Sequence, residues 1–484
     1  MILIALAALY LFSIYLTVIE YYRASLTTLV LTAALGLFIV IDPLESGLYG
    51  YDPYYSVLET SRLASGMSSI DLLTKYGDRP LIFSLITIVS SISAVPIPSA
   101  GKYYPLVNAL LPVIGYVAFR TVSSKEVALL SAHAIVGTRT FLTFESKFVP
   151  ESLGIFLFFA LIFSLLMEFS QSDTDWRYLS IFFGISIILT HNVTSLIAIF
   201  FLLTVCTVCL LIPHIPLPTT PFNKSSYPSP SLQLATLILI IGFMSLFIYG
   251  DWITLRNMII NIAVGTKSVG HTTSSTLSII QLVNEFGQLI VVFFMCILNL
   301  LILHPKYESD HWELGIAVFN ASLISLFMIQ SIMGKITDLD QIRLIIFVYP
   351  LLAFISLRTI YGINLHKLDQ YRDHLAVILL VAFLIPQLIA IPTPVLETTY
   401  GPTLEEDHFS DSQFAAANWA SRSEIQSISG YERDVWLFVG RMDYTPIYDG
   451  RCESEVYAGR GLQNTVLDNR IYSNGAISIN KCGL

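Results

Sequence analysis

The chain has 484 residues and a mass of 54.0 kDa; 54% of its residues are hydrophobic, 13% are charged, and the mean hydropathy is +0.69. A soluble domain is about 25% charged, so this composition excludes a soluble globule, a disordered chain and a coiled coil, and marks a polytopic membrane protein. Lys and Arg total 26 against 35 Asp and Glu, a net charge of −9, which argues against a nucleic-acid partner. The five cysteines are too few for a disulfide scaffold.

A helix that crosses lipid needs roughly 20 mainly apolar residues. Apolar stretches lie near 3–19, 25–41, 80–95, 104–119, 127–143, 151–167, 178–190, 193–213, 232–250, 276–303, 312–333, 341–360 and 375–391. Backbone in lipid must be bonded internally, so at this hydropathy these are helices. The first stretch has no basic leader and no small-residue cleavage site, and reads as a transmembrane helix rather than a signal peptide. The stretch 80–95 is short and runs into Pro96-Ile97-Pro98, which predicts a partly inserted juxtamembrane helix. About twelve transmembrane helices remain, in residues 1–392.

With 80–95 outside the count, loops 20–24, 120–126, 168–177, 214–231, 304–311 and 361–374 fall on one side. They hold Arg23, Arg120, Lys125, Arg177, Lys224, Lys306, Lys367 and Arg372, packed against helix ends, and that side reads as cytoplasmic. The opposite loops carry nearly as many basic residues. From residue 393 the polar and charged residues return, with short alternating runs such as Ile471 to Ile479. Residues 393–484 therefore read as a small α/β or mainly β domain outside the membrane. Cys452 and Cys482 lie in it, either as a disulfide staple of an extracytoplasmic domain or as two unrelated thiols.

Ionisable residues at the membrane are costly and therefore informative. In the first outer loop (42–103), Asp52 precedes Pro53 and is followed by Tyr54 and Tyr55. Asp52 is either a helix cap within an aromatic belt or a carboxylate held at the surface to accept a proton or bind a metal. Arg79 stands just ahead of the 80–95 helix. The second outer loop (144–151) contributes Glu145 and Glu151, the latter beside Pro150 at a helix start, where capping alone explains an acid. If the two loops meet, they supply paired carboxylates. His191 breaks two apolar runs, as a cap or as a substrate contact. Arg343 lies one turn into an apolar run and either snorkels or grips a phosphate. No phosphate-binding Gly-rich loop, H-E-x-x-H pair or voltage-sensor ladder is present.

The order Asp52-Pro53-Tyr54-Tyr55, Arg62, Gly66, Arg79-Pro80-Leu81, a short helix, a span ending at Arg120 and an acidic loop before Pro150-Glu151 resembles the membrane-embedded glycosyltransferases of the GT-C class. The Asp-Pro-Tyr-Tyr stretch is similar to the first-loop aspartate region of archaeal oligosaccharyltransferases. The tail stretch Asn469 to Gly475 is similar to that of archaeal multi-pass members. The resemblance implies an all-α GT-C bundle in the cell membrane with an extracytoplasmic C-terminal domain. It implies sugar transfer from a dolichyl-phosphate-type carrier to an envelope glycan, lipid or protein on the outer face. Asp52, Glu145 and Glu151 would be catalytic, Tyr54, Tyr55, Arg79, His191 and Arg343 substrate-binding, and a divalent Mg or Mn ion could rest on Asp52 and Glu145. The expected partners are the lipid-linked donor and membrane lipids. The alternative is a transporter or flippase, which would line a path through the membrane with polar groups.

Overall fold

The computed structural model describes residues 2–41, 48, 52–66, 79–138, 141–142, 145–171, 174–211, 240–245, 256, 292, 295–303, 311–333, 341–362, 374 and 378, and five short strands between 427 and 481. The described chain is mostly helical. The stretches 232–250, 276–303 and 375–391 lie wholly or partly outside these residues, as do Cys452 and Cys482.

The chain divides into two compact units. The first comprises Met1–Gly36, Val107–Glu145 and Leu153–Ile391. Its helices begin with α1 (Ile2–Val18) and α2 (Tyr22–Ile41), joined at Glu20, which takes a left-handed φ of 65° to turn the chain within a few residues. Then come α6 (Leu111–Arg120), α7 (Lys125–Val136), α8 (Pro150–Gln171), α9 (Thr174–Ile188), α10 (Asn192–Leu211), α11 (His311–Met333) and α12 (Gln341–Gly362). Among the described residues, three helices are long and apolar enough to cross a membrane: Tyr22–Ile41, Pro150–Glu168 and Asn192–Leu211. At 1.5 Å per residue, the 20 residues of α2 reach about 30 Å, the thickness of the hydrocarbon layer.

Small residues let these helices approach closely, as expected where lipid removes the hydrophobic drive between spans. A Cβ on Gly315 of α11 would stand 3.0 Å from Cα of Val205 on α10, and one on Gly154 of α8 would stand 2.8 Å from Oγ1 of Thr194. Phe158 meets Phe201 and Phe347 edge to face at 5.7 and 5.2 Å, which ties α8 to α10 and α12.

Polar knots fix register. Tyr10 donates to the carbonyl of His133 at 2.8 Å, and Ser13 Oγ lies 2.9 Å from His133 Nε2. His133 Nδ1 is 2.8 Å from the Leu129 carbonyl, which can only accept, so Nδ1 carries a proton. This knot locks α1 against α7. A second cluster closes one end of the unit. Arg358 donates to the buried Glu313 carboxylate and to the Val122 carbonyl, and lies 5.4 Å over the Trp312 ring. Tyr361 donates to Glu126 at 3.0 Å. The α6–α7 turn, the start of α11 and the end of α12 thus meet, and these are three places the sequence assigned to one side.

The second unit comprises Leu37–Leu106, Ser146–Ser152 and Pro392–Leu484. It holds α3 (Asp52–Ala64), α4 (Leu81–Ser93) and α5 (Ile97–Tyr103), each packed on the other two. The stretch 80–95, expected as a juxtamembrane helix, forms α4. Its 13 residues reach only about 20 Å, too short to cross. It ends at Ala94 with φ 57°, and Pro96 blocks its continuation, so the next helix leaves bent by 115°. The same unit carries a five-stranded sheet, β1 (Ser427–Gly430), β2 (Asp443–Pro446), β3 (Val456–Gly459), β4 (Arg470–Ser473) and β5 (Ser478–Lys481), in the order β2-β1-β3-β5-β4. β1 is parallel to β2 and β3, while β5 is antiparallel to β3 and β4.

Candidate functional site

A residue before proline favours an extended or turn backbone; Asp52 is instead the first residue of α3. Pro53 takes the next position, where a helix has no use for its missing N–H. Tyr54 and Tyr55 follow in the first turn. The side chains of Asp52, Tyr54 and Tyr55 lie outside the described residues.

What the sequence reading missed is the rest of this helix. Residues 52, 56 and 59 fall at helical spacing on one stripe. On that stripe Ser56 and Glu59 are both fully buried, and Thr60 beside them is buried too. Thr60 satisfies itself by donating to the Ser56 carbonyl at 2.6 Å. Among the described residues, neither Ser56 Oγ nor either carboxylate oxygen of Glu59 has a hydrogen-bond partner. Arg62 Nη1 approaches Glu59 only to 3.8 Å from a half-exposed position. The available signal was a hydroxyl and an acid at i and i+3, on the stripe that Asp52 begins, opposite Tyr54, Val57 and Leu58.

Arg79 is buried, one residue ahead of Pro80 at the start of α4. Lys102 of α5 is buried as well. Both cations therefore belong to elements of the same unit as α3.

Glu145 and Glu151 sit on opposite sides of a tight turn. Glu145 is fully buried; its N–H donates to Phe141 and its carbonyl accepts from Asn108 at 3.0 Å, which fixes its backbone in the first unit. In the second unit, the Phe148 ring packs within 2.6 Å of the position of a Gly101 Cβ and lies edge to face with Tyr104 at 5.8 Å. A side chain at residue 101 would displace that ring. Glu151, 5% exposed, occupies the first turn of α8, where the helix dipole favours its charge.

His191 joins α9 to α10. Its Nδ1 lies 3.0 Å from Thr194 Oγ1 and accepts the Thr194 N–H at 3.3 Å, so the ring caps α10. Arg343 falls in the first turn of α12, with its side chain outside the described residues. Among the described residues no three His, Cys, Asp or Glu side chains cluster as metal ligands would. Of the two residues expected to hold a Mg or Mn ion, Asp52 has its side chain outside the described residues and Glu145 is buried.

The fold is similar to those of an archaeal oligosaccharyltransferase and of ArnT. The chain aligns with the oligosaccharyltransferase of Archaeoglobus fulgidus in its apo form at a TM-score of 0.58 and 12% identity, over 88% of this chain and 65% of that one. The same enzyme tethered to an acceptor peptide containing an NVT sequon gives a TM-score of 0.55 at 11% identity, over 88% and 64%. ArnT of Cupriavidus metallidurans aligns at a TM-score of 0.56 and 11% identity, over 95% of this chain and 98% of its own. The chain thus spans just under two thirds of the archaeal enzyme's length. No family model and no curated protein matches the sequence.

Proposed function

We propose that this protein is an inverting membrane glycosyltransferase. It moves a sugar from a polyprenyl-phosphate carrier of the dolichyl-phosphate type to an envelope glycan, lipid or protein on the outer face of the cell membrane. The observation that carries this reading is the alignment of 95% of the chain with 98% of ArnT in one fold. The sequence supports it by setting an Asp-Pro-Tyr-Tyr stretch at the head of the first outer helix. The C-terminal sheet is read as part of an extracytoplasmic domain.

In this mechanism the acceptor hydroxyl oxygen attacks the anomeric carbon from the face opposite the phosphate. Its proton passes to the Asp52 carboxylate. The bond between the anomeric carbon and the phosphate oxygen breaks, and the electron pair leaves with the lipid phosphate. Arg343 offsets the charge that develops on that phosphate. Glu145 and Glu151 supply the second acidic element, while Tyr54, Tyr55 and Arg79 flank the substrate.

General-base assistance is worth roughly 10²- to 10⁴-fold. Asp52→Asn should therefore lower transfer of radiolabelled sugar from dolichyl-phosphate donors by at least roughly 100-fold, with an unchanged unfolding temperature in detergent. Transfer retained by this variant would overturn the role of Asp52. Movement of the labelled lipid between leaflets without any glycosylated product would place the protein among flippases instead.

A further inference from the structure

We infer that Ser56 and Glu59 of α3 form a hydroxyl-reading subsite for the sugar of the lipid-linked donor. This inference rests on the proposed glycosyl transfer.

The argument starts from the buried face of α3. A short helix held only by packing should bury an apolar stripe. This one buries Ser56, Glu59 and Thr60. Thr60 is satisfied by the helix itself, so its burial needs no ligand. Ser56 Oγ and both Glu59 oxygens are sealed from solvent with no hydrogen bond to described residues. Buried polar groups in native proteins are almost always bonded, and a carboxylate left bare is among the costliest exceptions. Arg62, its ion-pair partner one turn on, stays at 3.8 Å, beyond hydrogen-bond reach, and is itself 38% exposed.

A carboxylate can only accept, and it has room for several donors. Ser56 adds one donor and two acceptor positions one turn away. Such a pair suits a ligand that brings several O–H groups, which is the chemistry of a sugar ring. It suits a phosphate poorly, because two anions would then face each other. Glu59 lies two helical turns from Asp52 on the same stripe, a rise of roughly 10 Å. A sugar read at Glu59 would therefore sit on the stripe that begins at the proposed base. Buried Arg79 and Lys102, on or beside the helices packed against α3, favour a donor bearing phosphate over a neutral acceptor glycan as the source of that sugar. The subsite is closed in this structure, so donor entry must open it.

Stability and function should then pull in opposite directions at Glu59. A carboxylate that supports the fold destabilises it when removed. One kept bare for a ligand does the reverse.

The test uses the full-length protein in lipid nanodiscs. Binding of dolichyl phosphates carrying mannose, glucose or N-acetylglucosamine is measured against bare dolichyl phosphate, for wild type, Glu59→Gln, Glu59→Leu and Ser56→Ala. The wild type should prefer one sugar-bearing lipid over the bare lipid by roughly 10- to 100-fold, the factor expected from hydrogen bonds to a charged group. Glu59→Leu should erase that preference, leave affinity for the bare lipid unchanged and raise the unfolding temperature. Glu59→Gln, nearly isosteric, should keep the fold and lose most of the preference. Ser56→Ala should lose a smaller part. Sugar preference retained in both Glu59 variants, no preference in the wild type, or a lowered unfolding temperature in Glu59→Leu overturns the inference and leaves glycosyl transfer standing. Failure of the wild type to bind any of these lipids overturns both.

Discussion

Arg358 shows what a single ionic side chain does in this bundle. Glu313 is fully buried, and Arg358 is its counter-ion. The same guanidinium bonds the carbonyl of Val122, 236 residues away in sequence, and stacks on Trp312. Removing one partner of a buried pair strands the other charge, a cost of about 3–5 kcal/mol. Arg358→Met should therefore lower stability by about 3 kcal/mol, because the arginine is partly exposed. Replacing both partners, Arg358→Met with Glu313→Leu, should recover most of that loss, and thermal unfolding of the three variants in detergent checks it. At this scale the sequence was legible where position alone constrained a residue. Glu151 beside Pro150 read as a helix-start acid, and there it stands. Glu59 was not legible, because a carboxylate in a polar loop and a carboxylate sealed inside a helix stripe look the same until the burial of that stripe is known.

The helix α4 shows how a sequence pattern becomes an element with a definite task. Leu85, Ile88, Val89 and Ile92 are exposed along one face, and Ile82, Phe83 and Ile86 are buried on the other. That exposed face is too apolar for water and the helix is too short to cross. A helix of this kind is expected to lie in the membrane interface. Ile88→Trp should fluoresce at short wavelength in nanodiscs and be quenched by brominated lipids; emission typical of water-exposed tryptophan would refute the placement. The sequence indicated α4 from its length and the Pro-Ile-Pro end. It gave no comparable sign of α3, because Asp52-Pro53 reads equally as a turn and as a helix start, and only the packing of α3 on α4 and α5 separates the two.

For the whole molecule, the question is which end faces out. The cluster of Arg358, Glu313, Val122, Glu126 and Tyr361 joins three segments that the loop charges had put on one side. The α1–α2 turn lies at one end of α2, and α3 follows the other end after a short connection. Tyr21 is exposed in the first of these places and Ser65 follows α3 in the second. In sealed right-side-out vesicles, a cysteine at Ser65→Cys should react with a membrane-impermeant maleimide. One at Tyr21→Cys should react only after the vesicles are opened. The reverse pattern would invert the topology and remove the outer-face reading of Asp52.

The sequence by itself determined that this is a multi-pass membrane protein, where many of its apolar helices run, and that an acid heads the segment after the second of them. Those properties are local: transfer of apolar surface into lipid adds residue by residue, and proline and acid preferences at helix starts act over one turn. Only the tertiary structure decided which polar groups are buried and with whom. His133 bonds Tyr10 and Ser13 across more than a hundred residues, Arg358 reaches Val122, and Glu59 is sealed without a hydrogen bond among the described residues. Burial of a polar group depends on what folds over it from elsewhere in the chain, and that is set by packing rather than by neighbours in sequence.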